Sequence, residues 1–88
     1  MGDSPLKKID ADGTETELPD AKPDLKTMQG WVGGYVEIVR LREPGMIMVV
    51  DEEGRLKNKP VNRKASQLSP LPYQVHGDVV VMPESYFE

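Results

Sequence analysis

The chain has 88 residues, 38% of them hydrophobic and 30% charged, with 15 acids against 11 bases and a formal net charge of −4. At this length a chain buries about 60–65% of the surface its unfolded form exposes, which allows one small core and excludes a multi-domain enzyme. There is no cysteine, which removes disulfides, zinc–thiolate sites and cysteine nucleophiles together and fits a reducing cytoplasm better than a small secreted scaffold.

Leu, Ile, Val and Phe make up 21 of the 88 residues, which clears the roughly 20% line below which chains stay disordered. A single folded domain over 1–88 is expected. Its longest apolar run, Met46 to Val50, is too short to span a bilayer, and Met1-Gly2-Asp3-Ser4-Pro5 lacks the apolar stretch of a secretory signal. The expectation is a soluble protein with no membrane partner.

In chain order, residues 6–18 read as a polar hairpin. Leu6 to Ile9 and Thr14 to Leu18 flank Asp10-Ala11-Asp12-Gly13, where Gly13 supplies a positive φ and the Asp side chains bond their own backbone. Its polar strands suit a sheet edge. A helix is predicted over 21–32, with Asp20 as N-cap, Pro23 and Asp24 in the first turn and Gly33-Gly34 as the stop. Leu25, Met28 and Val32 fall on one stripe of it. Residues 35–56 carry the core strands: Tyr35 to Arg42, the turn Glu43-Pro44-Gly45, Met46 to Asp51, and a short third strand at Arg55-Leu56 after Glu53-Gly54. Val36 and Ile38 share one face of the first of these while Val39 and Leu41 share the other, so either both faces are covered or a bulge shifts the register. Residues 57–74 are a basic and proline-rich loop with a helical turn at 62–68, and the last strand runs over 79–82. The order β-β-α-β-β-(β)-(α)-β predicts an α+β domain, with one main helix packed across an antiparallel or mixed sheet of about five strands.

Val32-Gly33-Gly34-Tyr35-Val36-Glu37-Ile38-Val39 is followed by Val49-Val50-Asp51-Glu52-Glu53-Gly54-Arg55-Leu56-Lys57, then by Pro60-Val61-Asn62-Arg63 and Gly77-Asp78-Val79-Val80-Val81. In this succession the chain resembles the small domains catalogued as domain of unknown function 3846. The resemblance covers about residues 25–82. It implies an origin in phages, plasmids and other mobile elements, as a short accessory gene working in a bacterial host. It carries no catalytic residue over, because the family has none established.

Net charge is unevenly laid out. Residues 1–24 sum to −4, while 55–64 hold Arg55, Lys57, Lys59, Arg63 and Lys64 with no acid. Together with Asn62 these form the first candidate site, since clustered cations and amide donors hold phosphates or an acidic protein surface. Against it stand the acidic net charge and the absence of a stacking aromatic inside the stretch. The bland alternative is a solvated loop balancing Asp51-Glu52-Glu53, with Asn62 capping the short helix and Arg63 pairing with a carboxylate. Trp31, Tyr35, Tyr86 and Phe87 are the second candidate, as aromatic hot spots, with Trp31 half-exposed beside the helix stripe and the C-terminal pair either folded back or free for a partner.

The glycines at 30, 33 and 34 lie at a helix C-terminus, whose dipole repels anions, so they read as a cap and not as a phosphate cradle. Asp10-x-Asp12-Gly13 departs from a calcium loop at its fifth and twelfth positions and reads as a plain turn. His76 is the only imidazole, and Ser66, Ser69 and Ser85 sit in no nucleophile motif. No cofactor, metal set or catalytic group is expected. These observations imply a non-catalytic module that docks on a host or phage protein, with host takeover or counter-defence as its setting. The alternative is a nucleotide or nucleic-acid binder centred on 55–64.

Overall fold

Two hairpins and one late strand build a single antiparallel sheet in the computed structural model, which describes residues 5–87. Met1 to Ser4, on which the signal-peptide reading rests, and the charge of Glu88 lie outside the described residues. The elements are β1 (Lys7–Ile9), β2 (Glu15–Glu17), α1 (Leu25–Val32), β3 (Val36–Arg40), β4 (Met46–Asp51), α2 (Arg63–Leu68) and β5 (Val79–Pro83), followed by a 3-10 turn over Glu84–Tyr86. The strand order is β2-β1-β5-β4-β3. This is the expected α+β architecture with one main helix, and every neighbouring pair of strands is antiparallel. Among the described residues no helix is long and apolar enough to cross a membrane.

Both faces of the sheet are covered, which answers the question raised by the double alternation of β3. Strand period two sends Ile47, Val49, Val80 and Met82 to one face, where Leu6 and α1's Met28 and Val32 close the layer and Leu18, Trp31, Val36, Ile38 and Tyr86 pack at its margin. The same period sends Val39, Met48, Val50 and Val79 to the other face, with Ile9, Ala65 of α2 and Val75. β3 pairs with β4 one to one from Val36↔Asp51 to Arg40↔Ile47, with no bulge. Each fully buried aliphatic side chain contributes about 1.5–3 kcal/mol over its exposed form, and β4 and β5 supply the densest row of them. Met48, Val49, Val79, Val80 and Met82 are fully buried.

Four expectations are corrected. The helix starts at Leu25, capped by Asp24, whose carboxylate accepts from the Thr27 amide at 2.8 Å. Pro23 drives the residue before it toward extended backbone, so the helix cannot reach back to residue 21. Leu25 is 54% exposed, and the buried stripe consists of Met28 and Val32 with Trp31 at its border. Arg55-Leu56 forms turns and not a strand, since two residues bounded by Gly54 and a lysine run leave no room for a ladder. Finally, only β2 of the N-terminal hairpin is an edge: β1 lies inside the sheet against β5, because Leu6 and Ile9 each reach a core layer.

Asn62 fastens the second layer. Its side chain is 1% exposed; Oδ1 accepts from the Ala65 amide at 3.1 Å as the N-cap of α2, and Nδ2 donates to the carbonyls of Ile9 and Gly77, both at 2.9 Å. One amide thus ties α2, β1 and the entry to β5 together.

Candidate functional site

The basic stretch does not present its cations together. Asp51 ends β4 on the face of Ile47 and Val49, and its side chain is fully buried against the C-terminal end of α1. Lys59 Nζ lies 2.6 Å from Asp51 Oδ2 and donates to the Val32 carbonyl at 2.7 Å, while Lys57 Nζ lies 3.1 Å from the same carboxylate oxygen and donates to the Gly33 carbonyl at 3.2 Å. The last carbonyls of a helix lack intrahelical partners, and two ammonium groups satisfy them while balancing one buried carboxylate. Asp51 Oδ1 also accepts from the Glu53 amide at 2.9 Å. Burial pushes the Asp51 carboxyl up, but Lys59, the Glu53 amide and Lys57 outweigh it and hold the group below the ordinary aspartate range.

This cluster explains both glycines after the helix. Gly33 takes φ 79 as the cap, the left-handed conformation that favours glycine. At Gly34 a Cβ would fall 2.5 Å from Lys57 Nζ and 2.7 Å from Asp51 Oδ1.

Lys64 is likewise engaged, 2.8 Å from Glu15 Oε2 and 2.9 Å from the Gly13 carbonyl, so that it pins α2 to the β1–β2 turn. The Lys64 hydrogen bond and then that of Lys7 hold the Glu15 carboxyl below its usual value. Arg55 stands over the Tyr73 ring at 5.0 Å from its centroid. Arg63 is exposed and makes no ion pair among the described residues, so the expected carboxylate partner is not there. Asn62 is interior. The expected site residues therefore point to five places: the end of α1, the β1–β2 turn, the Tyr73 ring, solvent and, for Asn62, the interior.

The aromatic candidates separate as well. Trp31 and Tyr86 are half-buried against the first core layer, and the Tyr86 hydroxyl donates to Asp20 Oδ1, a bond that raises the pKa of the phenol. Tyr35 is 67% exposed and Phe87 is 42% exposed. Of the C-terminal pair, one aromatic folds back and the next faces outward.

What the sequence reading missed is a groove on the second face of the sheet, beyond the reach of α2. It encloses about 520 Å³. Val39 and Val50 form its floor, Glu37 and Glu52 stand on the strand side, and Leu71 and Tyr73 form the opposite wall with Arg55 over the ring. Leu56 sits on the rim, 82% exposed. Glu37 and Glu52 make no ion pair among the described residues. A second hollow of about 570 Å³ is floored by Ile9, Leu41 and Val81; of its charged lining, Lys7, Glu15 and Lys64 are paired to one another and Glu43 makes no ion pair among the described residues. The legible signal for the first groove was a lone leucine at 56 inside a basic run and the Leu71-Pro72-Tyr73 alternation, where proline holds two apolar side chains on an extended backbone.

Among the described residues no group of three or more His, Asp or Glu is placed to hold a metal ion. His76 Nδ1 lies 2.7 Å from the Lys59 carbonyl, which occupies one ring nitrogen with the backbone. No curated protein and no solved structure matches the chain. The family model described as Domain of unknown function (DUF3846) matches residues 6–85, and with that span, which takes in both hairpins, α1, α2 and β5, the chain belongs to that family.

Proposed function

We propose that this protein is a non-catalytic interaction module that docks on another protein through the groove between β3 and the 71–76 segment. One observation carries the reading: the groove joins an apolar floor to exposed Leu56 and Tyr73 and to two carboxylates without ion-pair partners, whereas four of the five cations of the basic stretch are engaged within the fold. Exposed aromatic and aliphatic side chains beside a recess are what a protein partner desolvates to gain affinity. The setting that goes with this reading is the cytoplasm of a bacterial host, with the protein acting as an accessory of a phage or other mobile element. That part rests on the family resemblance and the cysteine-free composition.

The experiment is capture from bacterial lysate with the full chain and its Leu56→Asp variant side by side, each checked for an unchanged Trp31 emission spectrum. A protein retained by the wild type and lost with the variant is expected. The same proteins on both, or none on either, overturns the reading. So does a salt-dependent affinity for DNA or RNA that disappears when Arg55 and Arg63 are neutralised, which is the signature of the nucleic-acid alternative.

A further inference from the structure

The two edges of the sheet are built differently. β2 is three residues long, exposed at every position, and carries Glu15 and Glu17, a short charged edge of the kind that resists pairing. β3 is five residues long and contains no proline, lysine or bulge; Glu37 and Arg40 on it are exposed, Arg40 paired with Glu84 at 2.9 Å, while Val36 and Ile38 are half-buried and apolar. Its outward groups follow from the ladder. The Tyr35 carbonyl accepts from the Glu52 amide at 2.8 Å and the Leu41 amide donates to the Met46 carbonyl at 3.1 Å, so with one-to-one register Glu37 and Val39 also bond to β4. Val36, Ile38 and Arg40 then aim their N–H and C=O groups away from the sheet. Among the described residues no strand lies on that side.

Resting on the groove reading above, we infer that the partner enters as an extended chain segment that adds to β3 as a sixth strand. Such a strand would pair its backbone with Val36, Ile38 and Arg40 and set alternate side chains beside Glu37 and Val39, at the mouth of the groove. The chemistry of those side chains is also fixed by the wall. Glu37 on β3 and Glu52, one residue past the end of β4, stand diagonally to each other, since Glu37 faces Val50, and neither has an ion-pair partner among the described residues. The segment therefore carries a lysine or arginine toward them and an apolar residue over Val39. A second copy of this chain is the poorer occupant. Two of the three two-fold registers, centred on Glu37 or on Ile38, set the Glu37 carboxylates of the two copies opposite or diagonal to each other, and each copy carries −4.

The test selects displayed random 12-residue peptides on the full chain and measures the winners against variants. Arg40→Pro removes an outward N–H that no bond to β4 uses, with Arg40→Ala as the control that loses only the side chain and its ion pair with Glu84, and Glu37→Lys reverses the charge of an exposed side chain; hydrogen exchange of the β4 amides verifies the fold of each. Selected peptides with alternating basic and apolar residues are expected to slow exchange of the Val36, Ile38 and Arg40 amides and to bind Arg40→Pro at least about fivefold more weakly. Glu37→Lys is expected to weaken the same peptides and to recover those whose basic residue is changed to glutamate. Peptides that bind Arg40→Pro as well as wild type but fail on Leu56→Asp would overturn strand addition and leave the groove standing. Peptides indifferent to all three variants would overturn both. Failure to select any peptide, or a free protein that sizes as a dimer with those three amides already protected, also overturns the proposal.

Discussion

Replacing Asn62 tests the interior logic of the fold. Asn62→Ala removes an N-cap, which costs about 1 kcal/mol, and two buried hydrogen bonds, from Nδ2 to the Ile9 and Gly77 carbonyls at 2.9 Å, each contributing about 0.5–1.5 kcal/mol net. The expected loss is about 2–4 kcal/mol, out of the roughly 4–13 kcal/mol that a chain of this length commands. At about 4–8 °C per kcal/mol for a domain of this size, the midpoint of thermal unfolding falls by about 8–32 °C. Urea titration followed by Trp31 fluorescence reads the same quantity, because Trp31 packs against the first core layer and reports its dissolution. Asn62→Asp separates the contributions. It keeps the oxygen that caps Ala65 but turns a second oxygen toward two carbonyls, so at neutral pH it should lose at least as much as alanine and regain part of it once acid protonates the new carboxyl. A stable Asn62→Asp protein would mean that the cap alone matters; a loss under about 1 kcal/mol for Asn62→Ala would refute the interior bonds altogether.

Glycine replacements in and after α1 should act with opposite signs. Gly30→Ala meets nothing within 4 Å and should stabilise by up to about 1 kcal/mol, while Gly34→Ala drives a methyl group into the Lys57–Asp51 contact and should destabilise by about 1–3 kcal/mol, both read from urea midpoints. Asp51 titrates lower in the folded than in the unfolded chain, so its stabilisation is complete above about pH 4 and is lost as pH falls through the folded value; Asp51→Asn should flatten that acid limb when midpoints are measured against pH. The Tyr86 phenol is shifted the other way. Its contribution is present below about pH 10 and is lost as pH rises through the folded value, so Tyr86→Phe should remove the late step in the ultraviolet phenolate titration, whereas Tyr86→Ala should also cost core packing.

Much of the fold was legible because its signals are local. Met46 to Val50 is apolar at every position, as an interior strand requires, and the Gly33-Gly34 stop and the Asn62 cap stand where a helix end and a helix start need them. The start of α1 was misplaced because Asp20 and Asp24 are equally good caps by type, and only the constraint that Pro23 puts on Lys22 separates them. Function was harder to read for a physical reason. A lysine in a charged run looks the same whether it ends in water or folds back onto a carboxylate, and what decides the matter for Lys57 and Lys59 is that the tight turn at Asn58, with φ 57, brings both to a buried Asp51. The groove is assembled from residues 37, 39, 50, 56, 71 and 73; Leu56 and the Leu71-Pro72-Tyr73 alternation mark two of its four segments locally, but no local pattern says that the four meet.

The place of β5 has a consequence for how the molecule comes into being. Both hairpins are local in sequence, yet in the sheet they never touch each other: the strand at 79–83 separates β1 from β4 and holds the two halves together. Until that strand arrives, each hairpin shows an open edge and both core layers lack the side chains of Val79, Val80 and Met82, so the nascent chain is a pair of unfinished pieces. The domain should therefore fold in one late, cooperative step set by closure of a loop of about seventy residues between β1 and β5.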